Sequence, residues 1–337
     1  MAGRASGWRT VRWVAGAVAL AVALAGTLSM APSGGAAPAR NLSPTTESAS
    51  AAVTTQRPVL VPGAGRGMAV SGVLRAADNA ADAPLYLALG DSITFGYDPT
   101  ADHTNAADSV GYPVAVANSV SAVSINASCP GETSASFLSA GADDQGCHGF
   151  RAVAPLHVSY SGTQLDFATG FLRSHPNTAL VTLGIGINDL YRCNRITTDR
   201  CARELVTTLE TYRFDLTTVL SSVRAVYAGP LVLVDYYSPN YQDTAMTDAV
   251  TRLNAVMAQA ARTYQAGLAH PFTVVAGPNA ESPRDICAAH LLIKLTHRCD
   301  IHASPAGREL LAGAVTRAAE STGPAQPTVG WAGYGAT

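Results

Sequence analysis

The sequence predicts an α/β domain built on a parallel sheet, and two patterns in the chain lead to this expectation. Short, continuously apolar runs alternate with longer segments in which apolar residues recur every three or four positions. Continuous short runs are typical of strands that are buried on both faces, as in a parallel sheet. The longer segments each place one apolar stripe on a helix, so strands and helices are expected to alternate with helices on both faces of the sheet.

The composition is that of a folded chain without a charge pattern for nucleic acid. Of the 337 residues, 47% are hydrophobic and 14% are charged, compared with roughly 25% charged residues in an average globular domain. This length suffices for one large core or two smaller ones, and disorder throughout the chain is excluded. The formal net charge of −2 provides no basic field, so nucleic acid is not an expected partner.

The N-terminal segment has the features of an export signal followed by a linker. Three arginines precede the uncharged apolar run 13–28, and small residues around Ala37 and Ala39 follow it. The run is shorter than the roughly 20 residues of a spanning helix. Residues 1–39 are therefore predicted to be a secretory signal peptide, with an uncleaved anchor as the alternative. Residues 40–82, rich in Ser, Thr, Ala, Pro and Gly, are predicted to be a low-complexity leader or linker.

The remaining domain is predicted to span residues 83–321, before a flexible tail at 322–337. Apolar stripes predict long helices over 205–223 and 246–264, and Ser304 followed by Pro305 predicts the start of a final helix. Five short apolar runs predict the strands. They are Leu85–Leu89, Val120–Ile125, Ala179–Leu183, Leu231–Val234 and Phe272–Val275.

A serine and an asparagine closely follow two of the predicted strands. Gly90, Asp91 and Ser92 come directly after the first strand, and Asn188 follows the third. Ligands of such sheets bind outside the carboxyl ends of the strands. A serine hydroxyl at a helix start is a candidate nucleophile there, and an asparagine amide is a candidate donor to an oxyanion. Taken alone, each residue is better explained as a helix N-cap or a turn residue.

Two more residues complete a possible set for acyl transfer. Gly131 lies in the loop after the second strand, where its main-chain N–H can serve the same oxyanion. His302, in a predicted loop at the start of the final helix, is a candidate general base. Taken singly, Gly131 is a turn residue and His302 a surface histidine. Together with Ser92 and Asn188 they supply a nucleophile, two additional oxyanion donors and a base.

All six cysteines lie between Cys129 and Cys299. An even number of cysteines in an exported chain points to disulfides, and the spacing favours pairs of neighbours. No C-x-x-C motif and no cluster of Cys and His at ligand spacing occurs, so no metal site is predicted. The expected pairs are Cys129–Cys147, Cys193–Cys201 and Cys287–Cys299.

The order of these motifs resembles that of the SGNH hydrolases, also called the GDSL esterase/lipase family. The resemblance covers residues 83–321 and rests on four blocks, which are Gly90 to Thr94, Gly131, Gly186 to Asp189 and His302. Within that family, three loop disulfides look most like those of exported actinobacterial lipases and esterases. The resemblance implies a flavodoxin-like three-layer α/β/α sandwich with a central parallel sheet, and hydrolysis of carboxylic esters without a metal or other cofactor.

Carried over by position, the family implies that Ser92 is the nucleophile and that His302 is the general base. Ser92 N–H, Gly131 N–H and the Asn188 side chain would form the oxyanion hole. Asp91 and Asp189 are interpreted as structural residues that hold the two loops. One position departs from the family pattern, because the acid that orients the histidine usually stands three residues before it, where this chain has Cys299. Asp300, two residues before His302, is the expected replacement. A main-chain carbonyl that orients the His302 ring is the alternative, and Asp285 is a third and less favoured possibility.

The expected function is that of a secreted, extracellular, monomeric serine esterase or lipase acting on small-molecule or lipid esters, with no stable membrane span after signal cleavage. Loops 97–113, 140–162 and 236–243 mix apolar and polar residues, which favours a partly exposed groove for short to medium acyl chains. A carbohydrate-ester deacetylase and a phospholipase stay open because fold does not fix substrate. A non-catalytic module that binds the cell envelope is a further alternative.

Overall fold

The structure is a computed structural model that describes residues 83–279 and 282–322. The predicted signal peptide, the predicted leader and positions 323–337 of the predicted tail lie outside the described residues. Within the described ranges, no helix combines the length and the apolar character that crossing a bilayer requires.

Five parallel strands form the central sheet, in the order β2-β1-β3-β4-β5. This is the strand order of flavodoxin-like doubly wound folds, in which the chain reverses direction across the sheet between β1 and β3. The strands are β1 (Leu85–Gly90), β2 (Val123–Asn126), β3 (Leu180–Gly184), β4 (Leu231–Val234) and β5 (Gly267–Ala269). The carboxyl ends of β1 and β3 therefore flank the point where this fold class binds ligands.

Ten α-helices connect and cover the strands in the described ranges. They are α1 (Ser92–Phe95), α2 (Tyr112–Ser119), α3 (Ser134–Leu138), α4 (Cys147–Val153), α5 (Gln164–Ser174), α6 (Ile187–Ile196), α7 (Leu205–Arg224), α8 (Thr244–Thr263), α9 (Pro271–Ala276) and α10 (Pro305–Ser321). A short 3₁₀ turn, Ala106–Asp108, precedes α2.

The helices form a layer on each face of the sheet, because successive strand residues point to opposite sides. Leu87 and Leu89 of β1 belong to a core with α7 and α8, whereas Tyr86 and Ala88 belong to a second core with α2 and α10. All four side chains are fully buried. Burial on both faces explains why the strands read as continuous apolar runs, and the three-layer α/β/α arrangement predicted from the sequence is confirmed.

One predicted strand is wrong. The run Phe272–Val275 is part of helix α9, and the fifth strand is the shorter segment Gly267–Ala269 just before it. A four-residue apolar run does not distinguish a buried strand from a helix. Pro271 decides the outcome because it stands at the first helical position, where a missing N–H costs nothing, and the Asp235 carboxylate accepts from Phe272 N at 2.8 Å.

A small antiparallel hairpin outside the main sheet carries the C-terminal histidine. It consists of β6 (Leu292–Lys294) and β7 (Cys299–Ala303). His302 therefore lies on a strand, whereas the sequence predicted a loop at the start of the last helix. That helix, α10, begins as predicted, with Ser304 as its N-cap and its hydroxyl accepting from Gly307 N at 3.2 Å.

Candidate active site

Ser92 stands at the carboxyl end of β1, on the first turn of the four-residue helix α1. Gly90 makes the sharp turn possible, since its φ is +145° and a Cβ there would lie 2.2 Å from the carbonyl oxygen of Gly184. Asp91 caps the helix by accepting from Ile93 N at 2.9 Å, and its other oxygen accepts from the Tyr236 hydroxyl at 2.5 Å. Asp91 thus holds the serine turn in place.

A chain of hydrogen bonds runs from Ser92 through His302 to Asp300. The Ser92 Oγ lies 2.9 Å from His302 Nε2, and the Asp300 carboxylate is hydrogen-bonded to His302 Nδ1. All three residues are buried. Asp300 and His302 share one face of β7 because side chains two apart on a strand point the same way, so a spacing of two brings the carboxylate onto the ring.

The electrostatics of Asp300 suit a partner for an imidazolium. Burial alone would raise the pKa of Asp300. The carboxylate accepts hydrogen bonds from the His302 ring and from the His302 main-chain N–H, the latter at 3.1 Å, and it is close to the charge of that ring. These interactions outweigh burial and leave the pKa of Asp300 below its ordinary value. Asp300 is therefore ionised near neutral pH. Tyr97 packs beside the pair, with its ring centroid 4.9 Å from that of His302.

Asn188 lies in the first turn of α6, the helix that follows β3. Its Nδ2 donates to the main-chain carbonyl of Glu132 at 2.9 Å, which fixes the direction of the amide and leaves its second N–H for another acceptor. Gly186 gives the chain the necessary turn with φ +128°, and a Cβ there would lie 2.5 Å from the Tyr212 ring.

Gly131 lies in the loop between β2 and α3, one residue before the carbonyl that holds Asn188. Its φ is +85°, and a Cβ at this position would lie 2.6 Å from Gly146 N. The disulfide between Cys129 and Cys147 closes the loop. The chain therefore approaches itself here at a distance that only glycine allows.

Asp189 ties the Gly131 loop to the Asn188 turn. It accepts from Ser134 N at 3.0 Å and from the Ser134 hydroxyl at 2.6 Å. Burial raises the pKa of Asp189 to about 6, against the opposing effect of these hydrogen bonds. The sequence interpretation of Asp91 and Asp189 as residues that hold loops agrees with these contacts.

A small pocket opens beside Ser92 and Asn188. Apart from these two residues, its walls are aromatic and aliphatic. They are formed by Ile93, Ile187, Tyr191, Tyr236, Tyr237, Pro239 and Ile301. Of the three loops predicted to form a groove, only 236–243 contributes residues to this pocket, and Ile187, Asn188 and Tyr191 of α6 form another part of its wall.

The six cysteines form the three disulfides Cys129–Cys147, Cys193–Cys201 and Cys287–Cys299, which are the neighbouring pairs favoured by the spacing. Among the described residues, one group of possible metal ligands comes close together, Cys129, Glu132 and Cys147. Both cysteines are consumed by a disulfide, so this group has no thiolate to offer a metal.

Reduction of the disulfides is expected to lower activity before the sheet melts, because each bond closes a loop or hairpin next to Gly131, Asn188 or His302. The measurement is ester hydrolysis and far-UV circular dichroism at increasing reductant, with an unreduced sample in the same buffer as the control. A single transition in which activity and secondary structure disappear together would contradict this local role.

Sequence reasoning missed two buried polar residues of the site, Glu132 and Gln164. The Gln164 side chain contacts the main chain of Gly90 and the carboxylate of Glu132. Burial raises the pKa of Glu132 to about 7, although the hydrogen bonds from Ser136 and Gln164 act in the opposite direction. The position of Glu132 next to Gly131 is a signal in the sequence that could have indicated a role in the site. Nothing in the sequence near Gln164 indicates its contact with Gly90.

The sequence matches the model of the GDSL-like Lipase/Acylhydrolase family over residues 88–310. No curated protein matches the sequence at a significant level. Similar solved structures include phospholipase A1 from Streptomyces albidoflavus NA297, with 19% identity, a TM-score of 0.48, and coverage of 72% of this chain and 100% of the other. An acetylxylan esterase from Geobacillus stearothermophilus is similar at 17% identity and a TM-score of 0.43, with coverage of 69% and 93%.

Because identity to the solved structures is low, the assignment rests on the family match, which spans both Ser92 and His302. The chain belongs to the GDSL-like lipase/acylhydrolase family and is a carboxylic ester hydrolase.

Proposed function

We propose that the protein is an exported serine esterase that cleaves esters of short to medium acyl chains through residues Ser92, His302 and Asp300. The observation that carries this proposal is the buried chain of hydrogen bonds from Ser92 Oγ through the His302 ring to Asp300. A serine hydroxyl, a base and an acid that orients the base are the parts required for nucleophilic catalysis on an ester.

In the first half of the reaction, Ser92 Oγ bonds to the ester carbonyl carbon while His302 Nε2 takes the hydroxyl proton. The carbonyl electrons move onto oxygen and form an oxyanion. When this intermediate collapses, the bond to the alkoxy oxygen breaks and His302 delivers its proton to that oxygen. The alcohol leaves, and the acyl group remains on Ser92.

In the second half, water replaces the serine hydroxyl as the attacking group. His302 takes a proton from water as the new oxygen–carbon bond forms, and then returns a proton to Ser92 Oγ as the acyl–serine bond breaks. The products are the carboxylic acid and the restored enzyme. Asp300, which is ionised near neutral pH, stabilises the imidazolium in both halves.

The oxyanion is proposed to lie among Ser92 N–H, Gly131 N–H and the Asn188 amide. Support comes from Asn188 Nδ2, which is held by the Glu132 carbonyl at 2.9 Å and lines the same pocket as Ser92. Loss of one such donor typically costs about 3 kcal/mol of transition-state stabilisation.

The pocket favours a short to medium acyl group. It is small and its walls are apolar and aromatic, so it suits a few methylene groups better than a sugar. Tyr191, on α6, is the residue that we expect to limit its length. Tyr236 and Tyr237 instead have hydroxyls fixed by Asp91 Oδ2 and the Ile301 carbonyl.

A series of p-nitrophenyl esters with acyl chains of increasing length tests the substrate class. We expect kcat/KM to peak at short to medium chains in the wild type, and Tyr191→Ala to move the peak towards longer chains by about two methylene groups. Phe214→Ala is the control, because Phe214 is exposed on α7 and lies outside the pocket.

An acetylated polysaccharide and a phospholipid vesicle are assayed beside the simple esters. If either is hydrolysed far faster than every simple ester, the proposed substrate class is wrong and the corresponding alternative, deacetylase or phospholipase, replaces it. An unchanged chain-length profile in Tyr191→Ala would contradict the role of this pocket.

Export, extracellular location and a monomeric state complete the proposal. The features of residues 1–39 are those of a secretory signal. Three disulfides in the described part of the chain are typical of proteins that mature in an oxidising compartment. We propose residues 83–321 as the catalytic domain.

A further inference from the structure

A buried side chain, Gln164, contacts two of the segments proposed to form the oxyanion hole. Gln164 is the first residue of α5 and is 1% exposed. Its Oε1 accepts from Gly90 N at 2.6 Å, and its Nε2 donates to Gly90 O at 3.0 Å. Gly90 is the residue from which the chain turns towards Ser92. The same Nε2 donates to the Glu132 carboxylate at 3.1 Å.

Glu132 extends these contacts to the third segment. Its carboxylate accepts from Gln164 and, at 2.5 Å, from the Ser136 hydroxyl, while its main-chain carbonyl accepts from Asn188 Nδ2 at 2.9 Å. Glu132 also directly follows Gly131 in the chain. One connected set of hydrogen bonds therefore joins the segments that carry Ser92, Gly131 and Asn188.

Glu132 is a costly group to bury, whereas Gln164 satisfies buried main-chain groups of Gly90. Glu132 is 3% exposed, and burying a carboxyl group is unfavourable even when it is hydrogen-bonded. An apolar pair of the same size would avoid burying a carboxyl group, but it would leave the buried Gly90 N–H without its Gln164 acceptor. What the polar pair provides and an apolar pair does not is a fixed distance and direction between Gly90 and the Glu132 main chain.

We propose that Gln164 and Glu132 are positioning residues that set the relative placement of the three oxyanion donors. The inference rests on the proposed function, since it takes Ser92 N–H, Gly131 N–H and Asn188 Nδ2 to be those donors. Neither side chain needs to touch the substrate. Their effect is on the transition state, because the donors have to meet an oxygen whose position changes as the tetrahedral centre forms.

Replacing Gln164 with methionine tests the proposal while keeping the side-chain volume. Gln164→Met removes the three hydrogen bonds and is expected to lower kcat for a p-nitrophenyl ester by about ten- to a hundredfold, because small displacements of catalytic donors have effects of that size. KM is expected to stay within about twofold, since the donors bind the transition state rather than the ground state. Affinity for a boronic acid that mimics the tetrahedral intermediate is expected to fall in parallel with kcat.

A pair of substitutions at Glu132 provides the conservative comparison. Glu132→Gln keeps a carbonyl oxygen for Gln164 Nε2 and is expected to retain kcat within about threefold, whereas Glu132→Met removes the acceptor and is expected to act like Gln164→Met. Because the two residues act as one unit, the double variant with methionine at both positions is expected to be no slower than either single variant.

Tyr227→Phe is the matched control for a purely structural loss. The Tyr227 hydroxyl is buried and donates to Thr178 O and Pro230 O, both at 3.0 Å, at the opposite ends of the strands. Its removal is expected to lower the melting temperature and to leave kcat and boronic acid affinity unchanged.

A folded Gln164→Met enzyme with wild-type kcat and wild-type boronic acid affinity would overturn the proposal. If this variant does not fold, Glu132→Met decides in the same way. If both methionine variants are insoluble while Glu132→Gln has wild-type stability and rate, Gln164 and Glu132 are required for folding. The proposal that they set the catalytic rate would then be overturned. Failure of the proposed function is distinct, because the wild type itself would then hydrolyse no ester and Ser92 would not react with a fluorophosphonate.

Discussion

Ser92→Ala is expected to reduce kcat for ester hydrolysis by about 10⁴- to 10⁶-fold, since it removes the atom that we propose to form the acyl-enzyme. The fold should be unaffected, because the substitution removes one hydroxyl whose side-chain contact is His302 Nε2 at 2.9 Å. The measurement is kcat on a short-chain p-nitrophenyl ester, together with covalent labelling by a fluorophosphonate.

Ser222→Ala is the matched control for this experiment. This substitution also removes one hydrogen bond, which the Ser222 hydroxyl donates to Thr218 O at 2.8 Å within α7. The variant is expected to keep wild-type activity and labelling. A Ser92→Ala enzyme that retains more than about one tenth of the wild-type rate would remove Ser92 from the mechanism.

Asp300→Asn is expected to have the second largest effect, a loss in kcat of about 10³- to 10⁴-fold. Asparagine keeps the shape of the side chain but not its charge, so the imidazolium formed during catalysis loses its stabilising partner and the ring is no longer held in one tautomer. KM is expected to change much less than kcat. The measurement is kcat and KM over a range of pH.

The pH dependence follows from the direction of the Asp300 pKa. Since the folded enzyme holds this pKa below its ordinary value, the carboxylate supports catalysis at every pH above that lowered pKa, and its contribution disappears only when the pH falls through it. The large difference between wild type and Asp300→Asn should therefore persist through the neutral and alkaline range.

Asp285→Asn provides the comparison. Asp285 accepts from Cys287 N and Ala288 N, both at 3.0 Å, in an exposed turn, and its substitution is expected to leave kcat within about threefold. If Asp300→Asn behaves in the same way, a loss of only about 0.7 kcal/mol of transition-state stabilisation, then Asp300 does not act in a triad with His302 and Ser92.

Much of the fold could be predicted because strands buried on both faces have a simple pattern. Four of the five predicted strands and both long helices appear close to their predicted positions. The segment 272–275 failed because its apolar residues suit either a strand or a helix and Pro271 favours the helix. The hairpin that carries His302 was missed because β6 and β7 are short and lie outside the main sheet.

Some site residues could be predicted from the sequence and others could not. Ser92 and Asn188 could be predicted as site residues because they follow strands whose carboxyl ends meet, and the extended conformation of β7 explains the contact of Asp300 with His302. Gln164 could not be predicted, because its contact with Gly90 joins residues 74 positions apart and depends on how α5 packs against the end of β1. Such contacts are set by tertiary packing, which short motifs do not encode.

The two hydrogen bonds of His302 span very different lengths of chain. The bond to Asp300 links residues 2 positions apart, whereas the bond to Ser92 links residues 210 positions apart. During refolding, the first can form as soon as the local hairpin does, whereas the second requires the closure of a long loop of chain. The return of esterase activity is therefore expected to report a long-range closure of this domain and to follow the recovery of helix content.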